Sequence, residues 1–262
     1  MCQRVFQCVR RPAVATLALV AALSASSATA QDHVHPREAP RKPSSPLTPT
    51  AKKLNEGYKV DCERFAAGFE TPGREIFDRR VEIVNSLGLK PGMNVADIGA
   101  GSGFFSRLMA ERVGPTGTVY AVEISSCLID RIKKSADAAN LRNIKTLLGT
   151  ARTPKLPDRS ADLVFVAESY HHFEYPKEML QQIRKALKPD GLLVIVDLER
   201  VEGVSPAYVL DMVRAGKGTF TDEIRNEGFE LIEEVDVPNL DLDYVLKFKL
   251  RESLVAATPP PR

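Results

Sequence analysis

Three glycines, Gly99, Gly101 and Gly103, follow an apolar run that ends in an acid, Asp97, within the stretch NVADIGAGSGFFS from Asn94 to Ser106. Closely spaced glycines permit a tight turn and let a ligand approach main-chain N–H groups at the start of the next helix. A G-x-G alone also occurs in purely structural turns, and a dinucleotide is the obvious competing ligand. Two features weigh against a dinucleotide. Its loop runs G-x-G-x-x-G, whereas here the third glycine comes one residue early and Phe104 takes its place. Asp97 also stands two residues before the first glycine, where a carboxylate repels a diphosphate and attracts a cation. Glu123, 22 residues after Gly101, ends the next apolar run, where an acid can accept both hydroxyls of a ribose.

A ligand with a ribose, no phosphate and positive charge near the loop is S-adenosylmethionine, through its sulfonium and ammonium groups. With these residues in this order, the chain resembles the class I S-adenosylmethionine-dependent methyltransferases from about Phe69 to Leu250. The most specific part is VADIGAGSGFFSRLMAERVGPTGTVYAVEIS. The resemblance implies that Asp97, Gly99, Ala100, Gly101 and Gly103 hold the methionine part, that Glu123 holds the ribose, and that Ile124 packs against the adenine. It also implies Ala151 beside the adenine amino group, and Glu168 with Ser169 shaping the methionine end.

The segment AESYHHFEYP follows the fourth strand, whose end in this fold faces the methyl group and its acceptor. Tyr170, His171 and His172 are therefore the candidate catalytic residues. Displacement at a sulfonium has a good leaving group, so positioning does most of the work. A base is needed only where the acceptor carries a proton, and histidine suits that task near neutral pH. One of two adjacent histidines can instead pack against backbone while the other is solvated. No metal is expected, because neighbouring residues on one segment cannot easily aim both rings at one ion. Asp197, at the end of the fifth strand, either touches the acceptor or simply caps the loop, and the cap is the favoured reading.

YHHFEYP and the later VRAGK are similar to a subgroup of small, often exported methyltransferases. In that pattern the loop after the third strand carries acids, as in GTEDDPxLP. Here it reads GTARTPKLP, with Ala151, Arg152 and Thr153 in place of the acids. One lost hydrogen bond to adenine should cost about 0.5–1.5 kcal/mol of cofactor affinity. Positions 203 to 220 read as a helix and loop over the pocket, where Arg214 and Lys217 either meet an anionic acceptor or form a solvated basic face.

The elements that must position these residues alternate regularly. Phe77, Val81, Val84 and Leu87 recur at helical spacing from Arg74 to Gly88, and Pro91-Gly92 ends the pattern. NVADIG, TVYAVEI, IKTLL, ADLVFVA and LLVIVDL read as buried strands. Helices fall at Phe104–Val113, Leu128–Ala139 and Glu178–Leu187, with Leu128, Ile129 and Ile132 inward in the second. Continuous apolar strands alternating with helices predict a doubly wound, mostly parallel α/β sheet of Rossmann type. GFELIEEVDV and LDYVLKFKL, joined through Pro238-Asn239, predict a closing antiparallel hairpin.

At 262 residues the chain has room for one sizeable α/β core plus appendages. Residues 1–30 read as a secretory signal: Arg4, Arg10 and Arg11, then the apolar run from Pro12 to Leu23, then Ala28-Thr29-Ala30. That run is too short to span a bilayer as a helix, so no stable membrane span is expected after cleavage, and the mature protein is expected to be periplasmic or secreted. An uncleaved anchor is the alternative. Residues 31–50 read as a proline-rich disordered linker, 51–253 as the methyltransferase domain with an N-terminal helical extension, and 254–262 as a loose tail.

The leader takes three of the 36 basic residues and none of the 34 acids, so 33 basic residues then face 34 acids. That balance gives no reason to expect nucleic acid as a partner. Cys2 and Cys8 leave with the leader. Cys62 and Cys127 remain, as one bridge or as two thiols. The expected activity is methyl transfer from S-adenosylmethionine to a small-molecule or lipid-like acceptor. The alternative is a non-catalytic module that holds an adenosyl ligand.

Overall fold

A computed structural model of the protein describes residues 45–251. The expected signal segment and tail, and the linker up to residue 44, lie outside the described residues. Residues 45–50 are not a loose linker. The Ser45 N–H donates to Glu223, the Thr48 hydroxyl donates to the Met212 carbonyl, and Leu47 is buried. Thr48 also caps α1 (Pro49–Val60) by accepting the Ala51 N–H, and Pro49 opens that helix, where a missing N–H costs nothing. α2 (Cys62–Phe69) follows after one residue.

The expected helix over 74–88 is two pieces, α3 (Glu75–Asp78) and α4 (Arg80–Ser86), broken at Arg79. The break rotates the apolar stripe. Ile76, Ile83, Val84 and Leu87 face the core, while Val81, expected inward, is exposed.

Beyond it the chain alternates: β1 (Asn94–Ile98), α5 (Phe104–Val113), β2 (Thr118–Glu123), α6 (Ser126–Ala138), β3 (Ile144–Leu148), β4 (Ala161–Ala167), a 3-10 turn (Tyr170–His172), α7 (Pro176–Ala186) and β5 (Leu187–Leu198). α8 (Ala207–Met212), α9 (Lys217–Asn226), β6 (Phe229–Val235) and β7 (Asp243–Leu250) complete it. The seven strands lie in the order β3-β2-β1-β4-β5-β7-β6. The first five are parallel, and β7 runs antiparallel to both β5 and β6. This is the expected doubly wound sheet with its C-terminal hairpin.

Alternate side chains of the central strands feed two cores. Ala96, Val164, Val166 and Ile195 pack with Ile183, Phe220 and Ile224 on the face covered by α7 and α9. Val95, Leu163, Phe165 and Val194 pack with Ile83, Phe105 and Met109 on the face covered by α4 and α5. Burial on both faces is why these strands read as unbroken apolar runs. The order in which strands are added reverses between β1 and β4, which run parallel, so a crevice opens beyond their carboxyl ends. No helix among the described residues is long and apolar enough to cross a membrane.

Candidate functional site

The crevice is a cavity of about 370 Å³. Asp97, Gly99, Ala100, Gly101, Glu123, Ile124, Ala151, Glu168 and His172 all line it, so nine positions picked from spacing and resemblance converge. Gly103, Tyr170 and His171 do not line it.

The floor is the turn after β1. Gly99 and Gly101 adopt positive φ, 78° and 55°, which side-chain-bearing residues rarely tolerate. A Cβ on Gly99 would run into the Ser169 hydroxyl, and one on Gly101 would stand 3.2 Å from the Phe69 ring. Gly103 acts behind the loop: at φ 79° it caps α5, and its missing side chain makes room for Ile132.

Two acids flank the turn. Asp97 is fully buried and accepts the Ser106 hydroxyl at 2.5 Å. Burial pushes its pKa up to about 7, the Ser106 bond opposes that, and the Glu123 charge adds to it. Glu123 accepts backbone N–H groups from Gly101 (3.1 Å), Ile124 (2.7 Å) and Ser125 (3.3 Å). Burial raises its pKa too, and the three amides pull it back.

At the far wall, Arg74 pairs with Glu168, and its other arm donates to the Phe69 carbonyl at 3.0 Å. Glu168 sits at φ 40°, an uncommon conformation for a residue with a side chain. The roof is aromatic. Tyr58 of α1 meets Phe65 and Phe69 of α2 at centroid distances of 4.8 and 6.0 Å, and His172 at 5.7 Å. Burial among these rings lifts the Tyr58 hydroxyl to about 12.

The three expected catalytic residues separate. His172 faces the cavity, with Nδ1 buried and unpartnered among the described residues. Burial, with the His171 ring beside it, holds its pKa well below the usual value, so the imidazole is neutral at pH 7. His171 is turned inward: its Nδ1 meets Asp197 at 2.5 Å, and its N–H donates to the same carboxylate at 3.0 Å. Asp197 therefore anchors the histidine turn as well as capping its own loop, where it accepts the Leu198 N–H. Tyr170 is fully buried against Phe173 and Phe220 and donates to Glu223 at 3.1 Å, which corrects the expectation that it meets the acceptor. Arg214 is corrected likewise. It is neither a solvated cation nor a cavity residue, but grips Glu223 through two bonds of 2.7 Å.

Sequence reasoning missed Arg74, Tyr58 and Ser106. No motif marks the first two, which lie in segments whose approach to the crevice is decided by tertiary packing. Ser106 was legible in principle: it is the third residue of α5, whose start points back at the end of β1. The substituted loop after β3 closes on itself, with Thr150 Oγ1 accepting the Arg152 and Thr153 N–H groups. Arg152 leans away, over the Tyr175 ring at 3.3 Å and onto Glu178 at 2.7 Å, leaving Ala151 to line the cavity.

Residues 96–195 match the family model described as a methyltransferase domain. A ubiquinone/menaquinone biosynthesis C-methyltransferase of Bordetella avium is 30% identical over 128 residues, 48% of this chain and 49% of that protein. A protein-L-isoaspartate O-methyltransferase of Methanothrix thermoacetophila is 32% identical over 109 residues, 42% of this chain and 49% of that one. The chain thus spans about half the length of the curated relatives it matches. Among solved structures, a SAM dependent methyltransferase from Aquifex aeolicus superposes with a TM-score of 0.64 at 24% identity, over 72% of this chain and 98% of its own. The [4+2]-cyclase SpnF reaches a TM-score of 0.60 at 19% identity, over 75% and 78%. Both structures speak to fold alone. Residues 96–195 thus match a methyltransferase-domain model, and they sit in a sheet with the fold of the class I methyltransferases.

Proposed function

We propose that this protein binds S-adenosylmethionine and transfers its methyl group to a small or lipid-like acceptor. The observation that carries the reading is one cavity whose floor is the glycine turn and whose walls are Asp97, Glu123 and the Arg74–Glu168 pair. Those residues fit a sulfonium nucleoside with an amino-acid tail. Glu123 supplies acceptors suited to a ribose, Asp97 and Glu168 suit an ammonium, and Arg74 suits a carboxylate. A diphosphate would instead face two buried acids. When bound, the cofactor supplies an electrophilic methyl carbon on a positively charged sulfur.

The protein's own part is to hold, to orient and to exclude water. The aromatic roof of Tyr58 and Phe69 desolvates the crevice, which strengthens every charge interaction inside it. His172, neutral and with no hydrogen-bond partner for Nδ1 among the described residues, is the group suited to take a proton from a hydroxyl acceptor. Leu47, Phe173 and Met179 also line the cavity, which supports an apolar acceptor body. The relative from Bordetella avium, a quinone C-methyltransferase by name, supports the same class.

The second reading is a retired enzyme that only holds an adenosyl ligand. Arg152 and Ala151 in the loop after β3 favour it. In either reading the protein acts outside the cytoplasm, as the N-terminal sequence pattern suggests.

Labelled methyl transfer separates the two. Full-length protein is incubated with methyl-labelled cofactor and, separately, with a lipid extract and a small-molecule extract. Label entering one extract, and lost in His172→Gln, supports transfer. Binding without transfer favours the second reading, and absence of both overturns the site.

A further inference from the structure

Of the two roof helices, α1 is tied down through Thr48 to the Met212 carbonyl and through Asn55 to the His172 carbonyl, whereas α2 is held by little. Among the described residues, α2 docks on α6 through a small satellite cluster of Cys62, Ala66 and Leu128, with Phe69 and Cys127 packed beside it. Two side-chain pairs assist, Glu63 with Arg131 at 3.0 Å and Glu70 with Arg107 at 2.8 Å. Such exposed and half-exposed pairs add little. What fastens this corner covalently is the disulfide Cys62–Cys127, which joins residues 65 positions apart at a Cα separation of 6.2 Å.

Its position bears on the crevice. Cys127 lies four residues after Glu123, and its neighbour Leu128 both lines the cavity and packs against α2. Cys62 opens the helix that ends in Phe69, the ring standing over the Gly101 turn. The bond therefore ties the roof to the wall that carries the ribose acid.

The pair is also built to open. Cys62 is the first residue of α2 and Cys127 the second of α6, so both sulfurs sit at helix N-termini, where the exposed N–H groups stabilise a thiolate. Cys62 is buried and Cys127 only half-buried, so an incoming thiolate reaches Cys127 and expels Cys62.

We propose that Cys62–Cys127 is a redox latch on the cofactor crevice: oxidised, it holds Phe65 and Phe69 of α2 against Tyr58 over the bound nucleoside; reduced, it lets α2 lift away from α1 and the nucleoside exchange. The reductant is a dithiol. Its thiolate attacks the Cys127 sulfur, the S–S bond breaks, and Cys62 leaves as a thiolate. The second thiol then closes the reductant's own disulfide and releases Cys127, so two electrons pass to the cysteine pair and both thiols end protonated. The nucleoside-exchange part rests on the cofactor reading above; the motion of the roof does not.

The test uses the full chain with Cys2→Ser and Cys8→Ser, so that only this pair responds. Peptide mapping first establishes the bond in protein purified without reductant. Hydrogen exchange is then followed over residues 62–69 with and without a dithiol. Protection there should fall at least tenfold on reduction and in Cys62→Ser, while β1 and β4 stay protected. In parallel, release of S-adenosylhomocysteine should accelerate at least tenfold. Free thiols at both positions in air-oxidised protein, or unchanged exchange of the roof on reduction, would overturn the latch. A roof that loosens in a protein with no affinity for S-adenosylhomocysteine would keep the mechanical latch and remove the cofactor reading instead.

Discussion

The Glu123 carboxylate accepts the Gly101 N–H at 3.1 Å, so the acid that ends β2 braces the turn that follows β1. Its other oxygen holds Ile124 and Ser125. The ribose acid is thus fixed before any ligand arrives, as preorganised binding requires.

Glu123→Gln keeps the shape but leaves one oxygen to serve donors that two now share. Unliganded stability should fall by about 1–2 kcal/mol in urea, and amide protection of Gly101 and Ile124 should drop. A variant as stable as the parent, with both amides still protected, would show that the brace is not Glu123.

Asp97 and His172 should bend the pH dependence of stability in opposite senses. The folded Asp97 keeps its proton up to about pH 7, against an ordinary 3.8, so the folded state binds the extra proton and stability falls as pH rises between those values. The folded His172 resists protonation below its ordinary 6.5, so stability falls as pH drops through that value. Asp97→Asn should therefore stabilise the unliganded protein at pH 8 by on the order of 2–4 kcal/mol while weakening S-adenosylhomocysteine binding. His172→Gln should flatten the acid limb. Affinity of the unaltered protein for the cationic ligand should rise from pH 6 to 8 as Asp97 ionises. Urea unfolding at pH 5, 6.5 and 8 checks the signs, and an Asp97→Asn variant less stable at pH 8 would refute the burial argument.

Arg74 should act on the amino-acid tail alone. Arg74→Ala is expected to weaken S-adenosylhomocysteine at least tenfold and methylthioadenosine, which lacks the carboxylate, less than threefold. Equal losses for both ligands would reassign Arg74 to holding the wall through Glu168.

Tyr170→Phe removes one hydrogen bond to Glu223, and neither residue lines the cavity. It should cost about 1 kcal/mol of stability and leave ligand affinity unchanged. Asp197→Ala should cost more, about 2–4 kcal/mol, because it strands the buried His171 N–H and ring together. Thermal melts and ligand titrations on both variants settle the order; a Tyr170→Phe protein with normal stability and impaired binding would restore Tyr170 to the site.

The sheet, its order of elements and the hairpin were legible because strands buried on both faces leave unbroken apolar runs between turn residues. The glycine turn and its two acids were legible for a related reason: ligand, backbone and strand ends meet within a few residues of sequence. Tyr170 misled because adjacency says nothing of side-chain direction. A 3-10 turn sends neighbouring residues different ways, so His172 reaches the cavity and Tyr170 the core. Arg74, Tyr58 and the docking of residues 45–50 were hidden for the opposite reason. Their contacts are with residues as much as 178 positions away, as for Ser45 with Glu223, and carry no local pattern.

The most direct measurement is a calorimetric titration of the full chain with S-adenosylhomocysteine and, separately, NADH. Saturable one-to-one binding of the first, weakened at least tenfold in Glu123→Ala, and no binding of the second is the expected result. Saturable NADH binding, or S-adenosylhomocysteine binding that is absent or indifferent to Glu123→Ala, would contradict the site.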